Sequence, residues 1–173
     1  MKKYIKILFF VALFTGIFAF HNRIQKANTF DYKNQIYELQ YGYIEDFGAH
    51  PSKQTFDFDL HLSSASKSNF TTHTINYIYL DLHSEEKGMI KEGTYRFKEE
   101  NDKLRESFTM TNAEVLINYD LNTKTGESLY AVDGSVEIKV IDGKHSVKFR
   151  LVLDNGEEME GVYQGKLLDW ETE

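Results

Sequence analysis

Two short segments of this chain carry acidic, imidazole and phenol side chains at every second position. They are residues 57–61 (DFDLH) and residues 77–83 (YIYLDLH). Because alternate side chains of a β-strand point to the same face, each segment would present its polar side chains together. Carboxylates and imidazoles are common cation ligands, and tyrosines beside them could line a sugar site, so a ligand or cation site is one hypothesis for these residues. The residues of this predicted site are Asp57, Asp59, His61, Tyr77, Tyr79, Asp81 and His83.

The pairing of the two segments decides which side chains meet. We expect antiparallel strands with Leu60 opposite Ile78 in the core, which places Asp57 directly opposite Asp81 on the other face. Like charges directly opposite each other are destabilising, and a divalent cation or a neighbouring lysine would relieve the repulsion. The interpretation that the acidic composition favours is a solvated outer face that binds nothing. The same register sets Tyr79 beside Asp59 and Tyr77 beside His61.

The rest of the sequence offers no established catalytic motif. It has no G-x-S-x-G elbow, phosphate-binding glycine loop or dinucleotide fingerprint, and its six histidines form no HxH or HxxxH pair. Glu45 and Asp46 could belong to a glycosidase-like carboxylate pair, but a chain with 27 acidic residues always offers such pairs. No cofactor is predicted, and a carboxylate-based hydrolase is the least favoured function.

The elements that position these residues are predicted to be β-strands. Apolar and polar side chains alternate most regularly over residues 134–167, and Asp142-Gly143 and Asn155-Gly156 interrupt the pattern. Both dipeptides favour two-residue type I′ turns, so this stretch predicts a three-stranded antiparallel meander. Similar alternation begins at Gln35 and raises the total to about nine to ten strands. We predict an all-β fold, either an antiparallel β-sandwich or a meander β-barrel.

The first twenty residues are predicted to be a signal peptide. Lys2, Lys3 and Lys6 precede an apolar run over residues 7–20, which is short for a membrane span but suits the core of a signal. Ala19 is the best small residue for a nearby cleavage position. An uncleaved inner-membrane anchor and an ordinary buried hydrophobic helix are the alternatives.

The remaining chain is predicted to hold one domain. Residues 21–34 are polar and have the character of a spacer, whereas residues 35–170 have the alternation of a single β domain. Trp170 is expected to pack the end of the last strand against the edge of that domain. A chain of 173 residues is a one-domain length, so this division agrees with the size of the protein.

The composition limits the partners and the compartment. The formal net charge is −7, and losing the three lysines of the leader would leave −10, because 17 basic side chains would face 27 acidic ones. Such a surface repels nucleic acid and anionic lipid, so contact with a membrane is expected only through an uncleaved leader. The chain has no cysteine, which excludes disulfides, a thiolate nucleophile and lipidation at a cysteine.

Six strand and turn patterns of the chain occur together in a known group of proteins. They are residues 41–48 (YGYIEDFG), 56–60 (FDFDL), 77–82 (YIYLDL), 93–97 (GTYRF), 153–156 (LDNG) and 161–165 (GVYQG). These patterns resemble those of uncharacterised exported bacterial all-β proteins, many of which look like surface lipoproteins. The chain departs from the lipoproteins of that group in lacking a lipidated cysteine. No activity is attached to the group, so the resemblance implies an exported β domain but assigns no functional residue.

The sequence therefore favours an exported, non-enzymatic β domain in the periplasm, in the cell envelope or outside the cell, which binds a surface, a protein partner or a glycan. A lipocalin-like carrier of a small apolar ligand is the alternative, and a hydrolase is the third. A lumen of several hundred Å³ lined by Phe and Tyr would favour the carrier, whereas a filled core would exclude it.

Overall fold

A computed structural model describes residues 26–50, 55–99 and 106–172 of the protein. The predicted leader over residues 1–20, with its cleavage position near Ala19, lies outside the described residues. Within the described ranges, no helix has the length and apolar character needed to cross a membrane. These ranges contain one short 3₁₀ helix, Lys67–Asn69, and eleven strands. The strands are β1 (Thr29–Tyr32), β2 (Gln35–Glu38), β3 (Tyr41–Ala49), β4 (Phe56–Ser63), β5 (Ile75–Ser84), β6 (Gly93–Phe97), β7 (Thr109–Asp120), β8 (Thr125–Ile141), β9 (Lys144–Leu153), β10 (Glu158–Gly165) and β11 (Leu168–Asp169).

The eleven strands of the described chain form a single sheet in the order β11-β3-β4-β5-β7-β6-β8-β9-β10-β1-β2. Neighbouring strands are antiparallel, except that β6 runs parallel to β7 and β11 runs parallel to β3. The sheet curls into a half-barrel. The predicted all-β class is confirmed, and of the two predicted architectures the curled sheet resembles the barrel.

The predicted meander is confirmed, because β8, β9 and β10 pair consecutively and antiparallel. Asp142 and Gly143 join β8 to β9 with φ angles of 51° and 71°, the left-handed values that a type I′ turn requires. The second turn differs from the prediction. Leu153 N donates to Glu157 O at 2.9 Å, so three residues form the loop, and within it only Gly156 has a positive φ, of 84°.

The side chain of Asn155 explains this difference. Its Oδ1 accepts a hydrogen bond from Glu157 N at 3.0 Å, which holds the loop without a left-handed Asn155. A three-residue hairpin loop with a left-handed glycine at its end is the next most common class after the two-residue turns. The meander therefore keeps its predicted order, but this turn is longer than predicted.

Two short strands lie where none was predicted. β1 falls inside residues 21–34, the predicted spacer, and pairs with β10 so that Phe30 and Tyr32 are buried. β11 follows the last predicted strand and pairs with β3 over two residues. Strands of four and two residues are too short to show alternation in the sequence, which is why these two were not predicted. With them, the described chain has eleven strands rather than about nine to ten.

The concave side of the sheet holds the hydrophobic core. In β4 and β5 it takes the even-numbered residues, and Phe58, Leu60 and Leu80 are each 1% exposed or less. The meander contributes alternate residues in the same way: Val136, Ile138, Val147, Phe149, Leu151 and Met159. This burial of apolar surface stabilises a chain that has no disulfide. The odd-numbered residues of β4 and β5 are left on the convex side, which is where the predicted polar site lies.

Candidate functional site

The register between β4 and β5 differs by two residues from the predicted one. Leu60 lies opposite Leu80, not opposite Ile78. A shift of two residues keeps every side chain on its predicted face, because the side-chain period of a strand is two. The sequence could not set the offset, since the connection over residues 64–74 is too long to impose a register as a tight turn would.

The shift changes which carboxylates oppose each other on the convex face. Asp59 lies opposite Asp81, so the predicted pairing of Asp57 with Asp81 is wrong. On its other side Asp59 lies opposite Glu45 of β3, and three carboxylates therefore stand in a row across three strands. Burial raises the pKa of Asp59 to about 6, and the neighbouring carboxylates raise it further. The hydrogen bond that Tyr79 donates to Asp59 at 2.9 Å acts in the opposite direction and lowers this pKa.

His61 lies next to Asp59 on the same face and is only 5% exposed. Its Nδ1 lies 2.6 Å from the hydroxyl oxygen of Tyr77, and its Nε2 has no hydrogen-bond partner among the described residues. The closest approach to a carboxylate is the 3.9 Å between Nε2 and Glu45 Oε2, which is too long for a hydrogen bond. Burial, assisted by the positive charge of Lys67, lowers the pKa of His61 to about 4.

Trp170 covers His61. The indole stacks on the imidazole with 4.0 Å between ring centroids, and the Lys67 ammonium lies 4.4 Å from the indole centroid. Trp170 N donates to Ile44 O at 3.0 Å, which holds the C-terminal segment on β3. The side chain of Lys67 also donates to the carbonyl oxygen of Trp170. The expected packing of Trp170 at the domain edge is confirmed, and its consequence is that a histidine on the convex face is removed from water.

One ligand atom from each of Glu45, Asp59 and His61 lies within 4.8 Å of the other two. We call these three residues the outer cluster. A buried imidazole nitrogen without a partner, facing two carboxylates, is an arrangement that a cation can complete, because nitrogen and carboxylate oxygen are both ligands of divalent transition metals. Tyr77 and Tyr79 support the cluster through the hydrogen bonds already described.

The other predicted residues form a separate network at the far end of β5. His83 is fully buried, with Nδ1 3.0 Å from Asp57 Oδ1 and Nε2 2.9 Å from Thr111 Oγ1. Thr111 donates its hydroxyl proton to Asp81 Oδ2 at 2.7 Å. The order of acid, imidazole and hydroxyl is that of a hydrolytic triad, but in a triad the histidine accepts the hydroxyl proton. These four groups bond to one another, and we interpret them as a brace between β4, β5 and β7.

The seven predicted residues are therefore brought to one face but divided between two networks. Sequence reasoning missed Glu45 as a partner of Asp59 and His61, and treated it only as half of a glycosidase-like pair. The sequence did contain one signal for Glu45, because it alternates with Tyr41 and Tyr43 along β3 and so shares their face of the sheet. That face also contacts Trp170, against which Tyr43 packs edge-on with 5.5 Å between ring centroids. The strand pairing that places Glu45 opposite Asp59 was not readable from that alternation.

A groove of about 460 Å³ lies where Ile44, Phe58, Ile90 and Leu167 reach the end of the half-barrel. Four acidic residues also line it, Glu45, Asp46, Asp169 and Glu171, so the groove borders the three residues of the outer cluster at Glu45. The groove has the volume expected for a small ligand. Its lining is mixed in character and is not the set of Phe and Tyr side chains that an apolar carrier would show.

Comparison of the chain with protein-family models, with curated proteins and with solved structures gives no match. The likeness to exported bacterial proteins stays a prediction. The geometry of the convex face is therefore the main source of information on function.

Replacing Asp59 with Asn tests the electrostatics of the outer cluster. Because the folded pKa of Asp59 is raised, ionising it above about pH 6 costs folding free energy that an amide does not. We expect Asp59→Asn to raise the free energy of unfolding by about 1 kcal/mol at pH 7, a gain that disappears as the pH falls towards 4. Urea unfolding in EDTA at a series of pH values measures this difference.

Asp57→Asn is the matched control, since Asp57 bonds to the buried His83. We expect this variant to lose stability at pH 7, because it removes a carboxylate that faces an imidazole nitrogen. A loss of stability in Asp59→Asn as large as that in Asp57→Asn would show that Asp59 is a structural residue.

Proposed function

We propose that this protein is exported to the cell envelope and acts there by binding a ligand rather than by catalysis. Its binding site is the outer cluster beneath Trp170. The observation that supports this most directly is His61, whose buried Nε2 lacks a hydrogen-bond partner in the described chain and faces Glu45 and Asp59. Buried polar atoms nearly always have partners, so an unsatisfied one is expected where a ligand completes the arrangement.

The contacts of the aromatic residues make a cation a better ligand than a glycan. The hydroxyls of Tyr77 and Tyr79 already bond to His61 and Asp59. The ring of Trp170 is in contact with an imidazole and an ammonium. A sugar site needs an aromatic face and free hydrogen-bonding groups, and this face has few of either to offer.

Hydrolysis finds no support in the second network. The hydroxyl of Thr111 gives its proton to Asp81, so it is not directed for transfer to His83. His83 itself is fully buried, whereas a general base must reach the proton that it removes.

The export half of the proposal is supported by the sequence of residues 1–20, where three lysines precede an apolar run of signal-peptide length. An acidic mature surface agrees with a soluble domain released from the leader.

A carrier function is the second candidate, and the groove at the end of the half-barrel is the observation in its favour. Four carboxylates at the groove would be costly to desolvate beneath a purely apolar ligand. The same four charges would suit a ligand with an apolar body and a cationic end. The packed core on the concave side leaves the groove as the place for such a ligand.

Expression of the full chain in a bacterial host, followed by cell fractionation and intact-mass measurement, tests the export half. We expect the protein in the envelope or medium, with a mass that corresponds to cleavage close to Ala19. A matched variant with Lys2, Lys3 and Lys6 changed to Glu should accumulate in the cytoplasm uncleaved. Wild-type protein found in the cytoplasm at its full mass would overturn the proposal of export.

A thermal-shift screen of divalent cations, oligosaccharides and alkylamines tests the binding half. We expect a ligand that raises the melting temperature of the wild type and of Met89→Lys, a groove variant, but not that of His61→Asn. The reverse selectivity would favour the carrier. A screen in which no compound shifts the wild type would contradict binding at either place.

A further inference from the structure

We propose that the outer cluster is a centre for a divalent transition-metal cation, with Zn²⁺ as the best-fitting ion and His61 Nε2, Glu45 and Asp59 as its protein ligands. The inference rests on the proposed binding function and names the class of ligand. It is carried by the geometry of three side chains from two adjacent strands, β3 and β4.

The imidazole supplies the observation that distinguishes this cluster from an ordinary acidic patch. His61 is 5% exposed, and its Nε2 has no hydrogen-bond partner among the described residues. That nitrogen lies 3.9 Å from Glu45 Oε2, and the three ligand atoms lie within 4.8 Å of one another. Ligand atoms around tetrahedral zinc are about 3.4 Å apart for bonds of about 2.1 Å. A shift of the Glu45 carboxylate towards His61 Nε2 would reduce this difference.

The groups around the cluster are those that orient metal ligands. Tyr77 contacts the other imidazole nitrogen, Nδ1, at 2.6 Å and thereby fixes the plane of the ring. Tyr79 donates to Asp59 Oδ1 at 2.9 Å and fixes that carboxylate. In metal sites a ligating histidine generally donates its other ring N–H to a surrounding group, and ligating carboxylates accept hydrogen bonds, because these bonds set the direction of each ligand.

The charges favour a cation. Glu45, Asp59 and Asp81 lie in a row across adjacent strands, and Lys67 is the positive side chain that contacts the covering indole. Adjacent carboxylates repel one another, and a divalent ion between two of them would reverse the sign of that interaction.

The ligand set selects the kind of cation. Ca²⁺ takes six to eight oxygen ligands, and the cluster offers two carboxylates and one nitrogen. Zn²⁺ accepts imidazole nitrogen and carboxylate oxygen together in a four-coordinate site. Three protein ligands leave one coordination position for water or for an atom of a partner molecule.

Calorimetric titration of the EDTA-treated, dialysed protein with ZnCl₂ tests the inference. We expect one Zn²⁺ per chain, with CaCl₂ giving no comparable signal. Asp59→Asn and His61→Asn should weaken Zn²⁺ binding at least 100-fold. Tyr77→Phe, which removes only the hydrogen bond to Nδ1, should weaken it about 10–100-fold.

His145→Asn is the matched control. His145 also has a buried nitrogen without a partner in the described chain, but it lies outside the outer cluster, so its loss should leave Zn²⁺ affinity unchanged. Asp59→Asn is the decisive variant, because an amide of the same shape can still accept the hydrogen bond from Tyr79 and the variant should remain folded. Zinc binding that is unaffected by Asp59→Asn and His61→Asn would overturn the inference, as would a wild type that binds no zinc.

The two proposals fail separately. If the protein is exported and binds another ligand at the outer cluster but no Zn²⁺, the zinc proposal is wrong and the proposed function is not contradicted. If the protein binds Zn²⁺ at this cluster but stays in the cytoplasm at full mass, only the proposal of export is wrong.

Discussion

Trp170 stacks on His61 with 4.0 Å between ring centroids, and the properties of the convex face depend on this contact. The indole is held in place by β11, which runs parallel to β3, and by a hydrogen bond from Trp170 N to Ile44 O. With the indole in place, a histidine that would otherwise face solvent is 5% exposed. Removal from water lowers the pKa of the imidazole. It also leaves Nε2 buried without a hydrogen-bond partner in the part of the chain that the structure describes.

The same strands pack the hydrophobic core with one face and bear the candidate site on the other. Even-numbered residues of β4, such as Phe58 and Leu60, pack in the concave core, whereas Asp59 and His61 lie between them in sequence and on the opposite side. Burial of the core stabilises the folded state, whereas the desolvated polar groups of the outer cluster destabilise it. This division lets a cysteine-free half-barrel keep an unfavourable group of carboxylates within the sheet, together with an imidazole whose Nε2 has no hydrogen-bond partner among the described residues.

Alternation in the sequence predicted the class of fold and the face of the site residues on β4 and β5, because alternation is a local property of a strand. It did not predict the face of Glu45, because residues 45–52 have the composition of a loop although β3 continues to Ala49. It did not predict register, since the offset of β4 against β5 is decided by the packing of the whole sheet across a long connection. β1 was missed because four residues, Thr29–Tyr32, are too few to show a period. Glu45 was missed as a partner of His61 because their proximity depends on the pairing of β3 with β4. Trp170 was expected at the domain edge, but its stacking on His61 was not, because that contact depends on the parallel pairing of β11 with β3.

The most direct measurement of this account is an NMR titration of His61 in the metal-free protein. If Trp170 buries the imidazole as described, His61 stays neutral until about pH 4, and Trp170→Ala moves its pKa up towards the ordinary value of about 6.5. A His61 pKa near 6.5 in the wild type, unchanged by removal of the indole, would contradict the burial on which the site depends.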